Sequence, residues 1–199
     1  MEGRETVREL LDRMACPNPS GGGGAAAALT AATAAALVAM VAGVAARRAP
    51  EDAGLGEIVQ EAAALRARVL GLIERDVEAF GQVVEARRRT DDARPQAVRD
   101  ALIGATEVPL ELAAASGRVL EQCVAVLPRA RPSTRADLGV AAALAFASLE
   151  GAALTVRANL DGLDAPAFVA ESRRRLQGLL RDGAALRSRL PRAEEAASG

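Results

Sequence analysis

Between Arg13 and Arg47 the chain carries no charge at all. Within that stretch Pro17-Asn18-Pro19-Ser20 and four glycines, Gly21 to Gly24, run into AAAALTAATAAALVAMVAGVAA. Proline and glycine forbid a regular element before Gly24. Alanine then has the highest helix propensity available, and Leu29, Leu37, Val38, Met40, Val41 and Val44 supply apolar bulk, so a helix is expected from about Gly24 to Arg48. A helix so small in side chain and so free of charge lets others pack closely, and it is expected to be central and wrapped on most sides. Its N-terminus offers free N–H groups, the positive end of the helix dipole and glycines that permit close approach, a seat for an anion or a developing oxyanion. Simpler readings compete. The glycines are not a Walker loop, since no Gly-Lys-Ser/Thr follows, nor a dinucleotide fingerprint, since no strand precedes them. The apolar run is long enough to span a bilayer, but alanine is a poor lipid-facing residue and no tryptophan or tyrosine flanks it.

The rest of the composition narrows the chemistry. A chain of 199 residues is long enough for one domain with a sizeable core. Its only aromatic residues are three phenylalanines, so that core is built from alanine, leucine and valine, which favours close-packed helices. Lysine, histidine, tyrosine and tryptophan are all absent. Arginine does not shuttle protons, so carboxylates, Cys16, Cys123, backbone and water are left for acid–base work. Two distant cysteines without histidine form neither a zinc cluster nor a disulfide framework. A net charge of −1 argues against nucleic acid, and the charged opening MEGRETVREL lacks the order of a signal peptide. A cytoplasmic setting, without membrane or nucleic-acid partners, is the expectation.

The spacing of apolar residues predicts a short amphipathic helix over 6–15 that serves as a lid or brace, the central helix, and a long one-sided helix from about Glu57 to Arg89 after the Pro50 break. A helix from about Pro95 to Leu127 follows, with Asp91 or Asp92 available as its N-cap and with Pro109 inside it, where the missing donor predicts a kink near Ala105. A second small, apolar helix runs from about Thr134 to Leu160, a neighbour for the central one. A last amphipathic helix is expected from Pro166, capped by Asp164, and the tail after Pro191 is expected to fray. No alternating strand pattern and no solenoid repeat is present. The fold class is all-α, a single-domain bundle of about six helices with its core over residues 5–190.

Ionisable residues on apolar helices are the informative ones, because burial without a partner is costly. Asp137 and Glu150 interrupt the small-residue helix, and Asp137 sits near its N-terminus, where the dipole favours the ionised form. Asp137 reads equally well as a solvated helix-start acid. Glu74, Asp76 and Glu78 flank Phe80, a run that is usually a solvated face. Arg87, Arg88 and Arg89 suit a carboxylate-rich ligand by bidentate pairing, although arginines at a helix C-terminus need no function. Asn159 either hydrogen-bonds a ligand or ends its helix.

Taken in order, the proline- and glycine-rich lead-in to an alanine helix ending LVAMVA, Glu74-Arg75-Asp76 with Ala79-Phe80, AVRDALIGATEVPLELA, Asp137 to Ala142, and Gly151-Ala152 with Asn159-Leu160 resemble the cyclodeaminase/cyclohydrolase family. The resemblance covers residues 5 to 190. It implies an all-helical homodimer with a folate site near the glycines and no cofactor, the tetrahydrofolate derivative being the substrate. It implies closure of 5-formiminotetrahydrofolate to the 5,10-methenyl form with loss of ammonia, or opening of the methenyl bridge by water to 10-formyltetrahydrofolate. On this reading Asp137 is the catalytic carboxylate, and Ser20, Gly21, Gly22, Gly23, Gly24, Asp76, Arg87, Arg88 and Asn159 bind substrate.

The chain departs from the family pattern at three places. Where the family has PGGGS, Pro19 is followed by Ser20 and four glycines, and Ala25 falls at the family's serine. The tyrosine and lysine that follow the family's phenylalanine are replaced by Ala86-Arg87-Arg88-Arg89, which keeps the charge and loses any proton transfer by lysine. Thr155 stands in for the first of two asparagines, of which Asn159 is the second. These substitutions leave three readings: an active enzyme, a member that binds folate or a partner without turnover, and a purely structural helical dimer.

Overall fold

The structure is a computed structural model that describes residues 6–17 and 22–191. Among the described residues six α-helices account for the regular structure: α1 (Val7–Ala15), α2 (Gly23–Ala46), α3 (Ala53–Arg88), α4 (Arg94–Val126), α5 (Arg135–Leu160) and α6 (Pro166–Arg187), with two short 3-10 turns between α4 and α5. No strand occurs among the described residues, so the all-α expectation holds. The expectation about the tail after Pro191 lies outside the described residues.

Boundaries follow local chemistry, with instructive exceptions. Thr6 and Glu9 form a reciprocal capping box at the start of α1. α3 begins at Ala53, four residues before the expected Glu57, because Gly54 and Gly56 are carried as ordinary helical residues behind the Pro50 turn. α4 is not capped by Asp91 or Asp92. Its N-cap is Ala93, and Asp91 instead accepts from Arg89 at 2.7 and 3.1 Å. Asp164 likewise does not cap α6, whose N-cap is Ala165; its carboxylate accepts from Arg99 at 3.2 Å.

Helices α2, α3, α4 and α5 pack in a ring, each against the next, and α6 lies outside against α4 and α5. The small-residue helices α2 and α5 are buried neighbours, as their sequences predict, and they run antiparallel. Gly151 comes close enough to α2 that a Cβ there would stand 3.3 Å from Ala27 Cβ, and one on Gly23 would stand 3.9 Å from Thr155 Oγ1. Across the seam Ser148 Oγ donates to Ala27 O at 2.7 Å and pairs with Ser116 Oγ on α4 at 2.9 Å, tying three helices through one buried polar chain. The core around this chain is alanine, valine and leucine, with Leu138, Leu149, Leu120 and Val38 fully buried.

α2 is wrapped on most sides, as expected. Its neighbours cover two sides and the diagonal of the ring, and Ala26, Thr33 and Met40 remain exposed on the fourth. α2 and the segment from Pro132 to Leu160 are each long and apolar enough to cross a bilayer, yet 50% and 44% of those stretches are buried inside the bundle.

Candidate functional site

The ends of four helices converge on one cavity of about 360 Å³. The first turn of α2 brings Gly22, Gly23 and Gly24. α3 brings Asp76, Ala79, Phe80, Val83 and Arg87, α4 brings Leu102 and Ala105, and the last turns of α5 bring Thr155, Ala158 and Asn159. On α3 the register is that of one helical face: Asp76, Phe80, Val83 and Arg87 recur at i, i+4, i+7 and i+11. At 1.5 Å per residue this stripe puts a carboxylate and a guanidinium about 16 Å apart, with an aromatic ring between them.

At the acidic end, Asp76 lies against the α2 N-terminus. A Cβ on Gly24 would overlap the Asp76 carboxylate, so glycine at this second helical position is what lets the carboxylate reach the backbone. Asp76 is half-buried and has no hydrogen bond or ion pair among the described residues, and burial pushes its carboxyl above the usual aspartate range. Beside it the first intrahelical acceptor of α2, Gly22 O, takes Ala26 N at 3.1 Å, which leaves the Gly23 and Gly24 N–H groups without helical partners.

On the opposite wall Asn159 Nδ2 donates to Ala105 O at 2.7 Å, fixing its amide across from α3. Thr155 Oγ1 donates to Gly151 O at 3.2 Å within its own helix. At the basic end Arg87 makes no ion pair among the described residues, whereas Arg88 points away, is paired with Glu85 at 2.9 Å, and lines an outer groove with Arg89 and Arg94.

The structure thus gathers Gly22, Gly23, Gly24, Asp76, Arg87 and Asn159 into one site and leaves Arg88 on its outside. Ser20 and Gly21 lie outside the described residues. Asp137 is not on the cavity wall. It sits in the first turn of α5, 18 positions before Thr155 on one continuous helix, which is about 27 Å away. Phe80 and Thr155 complete the wall without having been singled out for it. The register with Asp76 and Arg87 is the signal that points to Phe80. Among the described residues no three His, Cys, Asp or Glu side chains converge as a metal set would.

Comparison with known proteins converges on the same group. The family model for formiminotransferase-cyclodeaminase matches residues 6–178. A methenyltetrahydrofolate cyclohydrolase of Methylorubrum extorquens is 36% identical, and the match covers 96% of this chain and 96% of that one. The crystal structure of a formiminotetrahydrofolate cyclodeaminase from Thermotoga maritima superposes with a TM-score of 0.88 at 22% identity, over 94% of this chain and 93% of that one, a likeness of fold. The chain belongs to the formiminotransferase-cyclodeaminase family of one-carbon folate enzymes.

Proposed function

We propose that the protein is a methenyltetrahydrofolate cyclohydrolase, opening the 5,10-methenyl bridge with water to give 10-formyltetrahydrofolate, and that it acts as a cytoplasmic homodimer. The observation that carries this is the α3 stripe, in which a half-buried Asp76, without a hydrogen bond or ion pair among the described residues, lies against Gly24 in the first turn of α2 while Arg87 stands at the far end. The relative named as a cyclohydrolase, alike over nearly the whole length, supports ring opening among the family's reactions.

A bound folate runs along the stripe in matching order. Its cationic N5–C–N10 bridge lies by Asp76, its benzoyl ring over Phe80, and its glutamate carboxylates at Arg87, where the guanidinium pairs with them. Asp76 accepts a proton from water as the oxygen bonds to the bridge carbon, giving a neutral tetrahedral adduct. The Gly23 and Gly24 N–H groups face the new hydroxyl oxygen. The same carboxyl then returns its proton to N5 as the C–N5 bond breaks, and the hydroxyl proton leaves to solvent as the formyl C=O forms on N10. One water is consumed and one proton is released. The raised pKa of Asp76 makes it a stronger base toward the attacking water than an ordinary aspartate. Asn159 has its Nδ2 committed to Ala105, which turns the amide so that its oxygen is available as an acceptor for the pterin ring.

The test is an absorbance time course of purified protein with 5,10-methenyltetrahydrofolate and, separately, with 5-formiminotetrahydrofolate, each against a buffer blank. Accelerated loss of the methenyl band is the expected result, reduced a hundredfold or more by Asp76→Asn. Growth of that band from the formimino substrate would make the protein a cyclodeaminase instead. No rate above the blank in either cuvette would reject turnover, and a thermal shift with tetrahydrofolates would then separate a folate-binding protein from a structural dimer.

A further inference from the structure

Asp76 reaches the first turn of α2 at Gly24, and the glycine before it has a neighbour of its own. Among the described residues, a Cβ on Gly23 would meet nothing within 4 Å from outside its helix except Thr155 Oγ1 of α5, at 3.9 Å. Successive helical positions point about 100° apart, so Asp76 and Thr155 flank the start of α2 from two sides, and both line the cavity. Thr155 is half-buried, and its Oγ1 donates to Gly151 O at 3.2 Å. Threonines in helices commonly make that bond, and alone it assigns no function. Its consequence depends on place. Thr30, Thr33 and Thr106 make the same bond, but none of them lines the cavity. A hydroxyl has one proton to give, and Thr155 has spent it, so toward the cavity this side chain offers only lone pairs.

An ionised Asp76 is likewise an acceptor only. What fits between two acceptors is a molecule that donates in two directions, and water is the smallest that does. Gly22, Gly23 and Gly24 leave it room, since no Cβ projects into the space beside them. A water held by one acceptor turns about that bond, whereas one held by two has its protons fixed and a lone pair left to aim. We propose that Thr155 is a catalytic residue of the hydrolysis, holding the attacking water by the proton that Asp76 does not take. The proposal rests on the cyclohydrolase reading. As the water oxygen gives a lone pair to the bridge carbon, one O–H bond breaks and its proton passes to Asp76, while the π pair of the C=N bond moves onto nitrogen. The second O–H bond stays intact and donates to Thr155 Oγ1, which gains and loses no proton. That second proton is the one released to solvent when the formyl C=O forms.

Thr155→Val keeps the shape of the side chain and removes its oxygen, and Thr155→Ser keeps the oxygen. Steady-state rates of methenyl loss over a range of pH, with circular dichroism to confirm the fold, compare both with the wild type. Thr155→Val should lose about tenfold or more in kcat, the worth of one hydrogen bond to the reacting water, with KM for 5,10-methenyltetrahydrofolate within roughly twofold of wild type. Thr155→Ser should recover most of that loss. The acid limb of the pH profile should stay where it is in all three proteins, because Thr155 acts on the water and not on Asp76. If Thr155→Val fails to fold, Thr155→Ala removes the same oxygen with a better helix former. A valine variant with kcat within roughly twofold of wild type would overturn the proposal. So would a rise in KM at constant kcat, which would give Thr155 to folate binding, or a serine variant as slow as the valine one, which would make shape rather than oxygen the cause. A folded wild type inert toward the methenyl substrate would sink the cyclohydrolase reading and this role with it, an outcome that no result on the variants can imitate.

Discussion

Asn159 Nδ2 donates to Ala105 O at 2.7 Å, and Ala105 is the residue four before Pro109. Proline has no N–H to offer that carbonyl, so an acceptor in the middle of α4 that loses its i+4 backbone partner is satisfied from α5, at the wall of the cavity. The kink signal and the lone asparagine are two halves of one interaction. It fixes both the path of α4 beside the cavity and the side-chain amide on the cavity wall.

Removing the asparagine strands the carbonyl. Asn159→Ala should destabilise the fold by about 1–3 kcal/mol, the cost of an unsatisfied buried acceptor. Restoring an N–H at position 109 should offset it: in a Pro109→Ala background the Asn159→Ala cost should shrink by about 1 kcal/mol or more. A double-mutant cycle from urea unfolding measures the coupling, and strictly additive changes would contradict the pairing.

Gly24→Ala separates the site from the fold. A Cβ there would overlap the Asp76 carboxylate, the end of a short side chain that can swing aside into the cavity. Alanine is also the better helix former by about 1 kcal/mol. The expected outcome is a Tm at or above that of wild type together with a drop in kcat/KM of tenfold or more. Unchanged kinetics would remove Asp76 from the position assigned to it.

Asp76 also sets a pH dependence whose sign is opposite to that of a salt-bridged aspartate. Burial raises its pKa in the folded state above the usual aspartate range. The folded protein thus holds the proton more tightly than the unfolded chain. The resulting contribution to stability is fully present below the unfolded pKa and is lost as pH rises through the folded value. Asp76→Asn removes the charged, desolvated form, so the variant should be more stable than wild type at pH 7, with the difference closing as pH falls toward 4. Its hydrolytic rate should be low at every pH, whereas the wild-type rate should decline in acid as Asp76 protonates. Thermal denaturation of both proteins at pH 4 and pH 7 checks the first claim. A variant less stable than wild type at pH 7 would show that the carboxylate is held by partners rather than strained by burial.

Much of this was legible in the residues, and the failures have physical causes. The α2 and α5 pair announces itself because alanine and glycine without charge leave close helix packing as the obvious use of such segments. Asp137 was assigned to the site by type and by its place in a motif, yet Asp137 and Asn159 stand 22 positions apart on one uninterrupted helix, about 33 Å, too far to share a small cavity within one subunit. That distance was available from the helix assignment alone. What sequence could not supply was Asp76 reaching α2, or Asn159 reaching Ala105. Both depend on which helices become neighbours, and nothing local in either segment encodes the partner.

The last prediction concerns packing away from the site. Gly183 of α6 sits where a Cβ would overlap Leu149 Cδ2 and stand 3.6 Å from Leu120 Cδ1. Both leucines are fully buried, so neither can swing into solvent to make room. α6 therefore docks on the α4/α5 pair through a contact that only glycine permits. Gly183→Ala should destabilise the protein by about 1–3 kcal/mol, as overpacking of a filled core does, despite the gain in helix propensity. For a chain of this length that corresponds to a Tm lower by roughly 2–12 °C. Shortening the opposing side chain should relieve the clash: in a Leu149→Ala background, itself costing about 2–5 kcal/mol, the same glycine substitution should be neutral or favourable. A stabilising Gly183→Ala in the wild-type background would show that α6 docks more loosely than this contact requires.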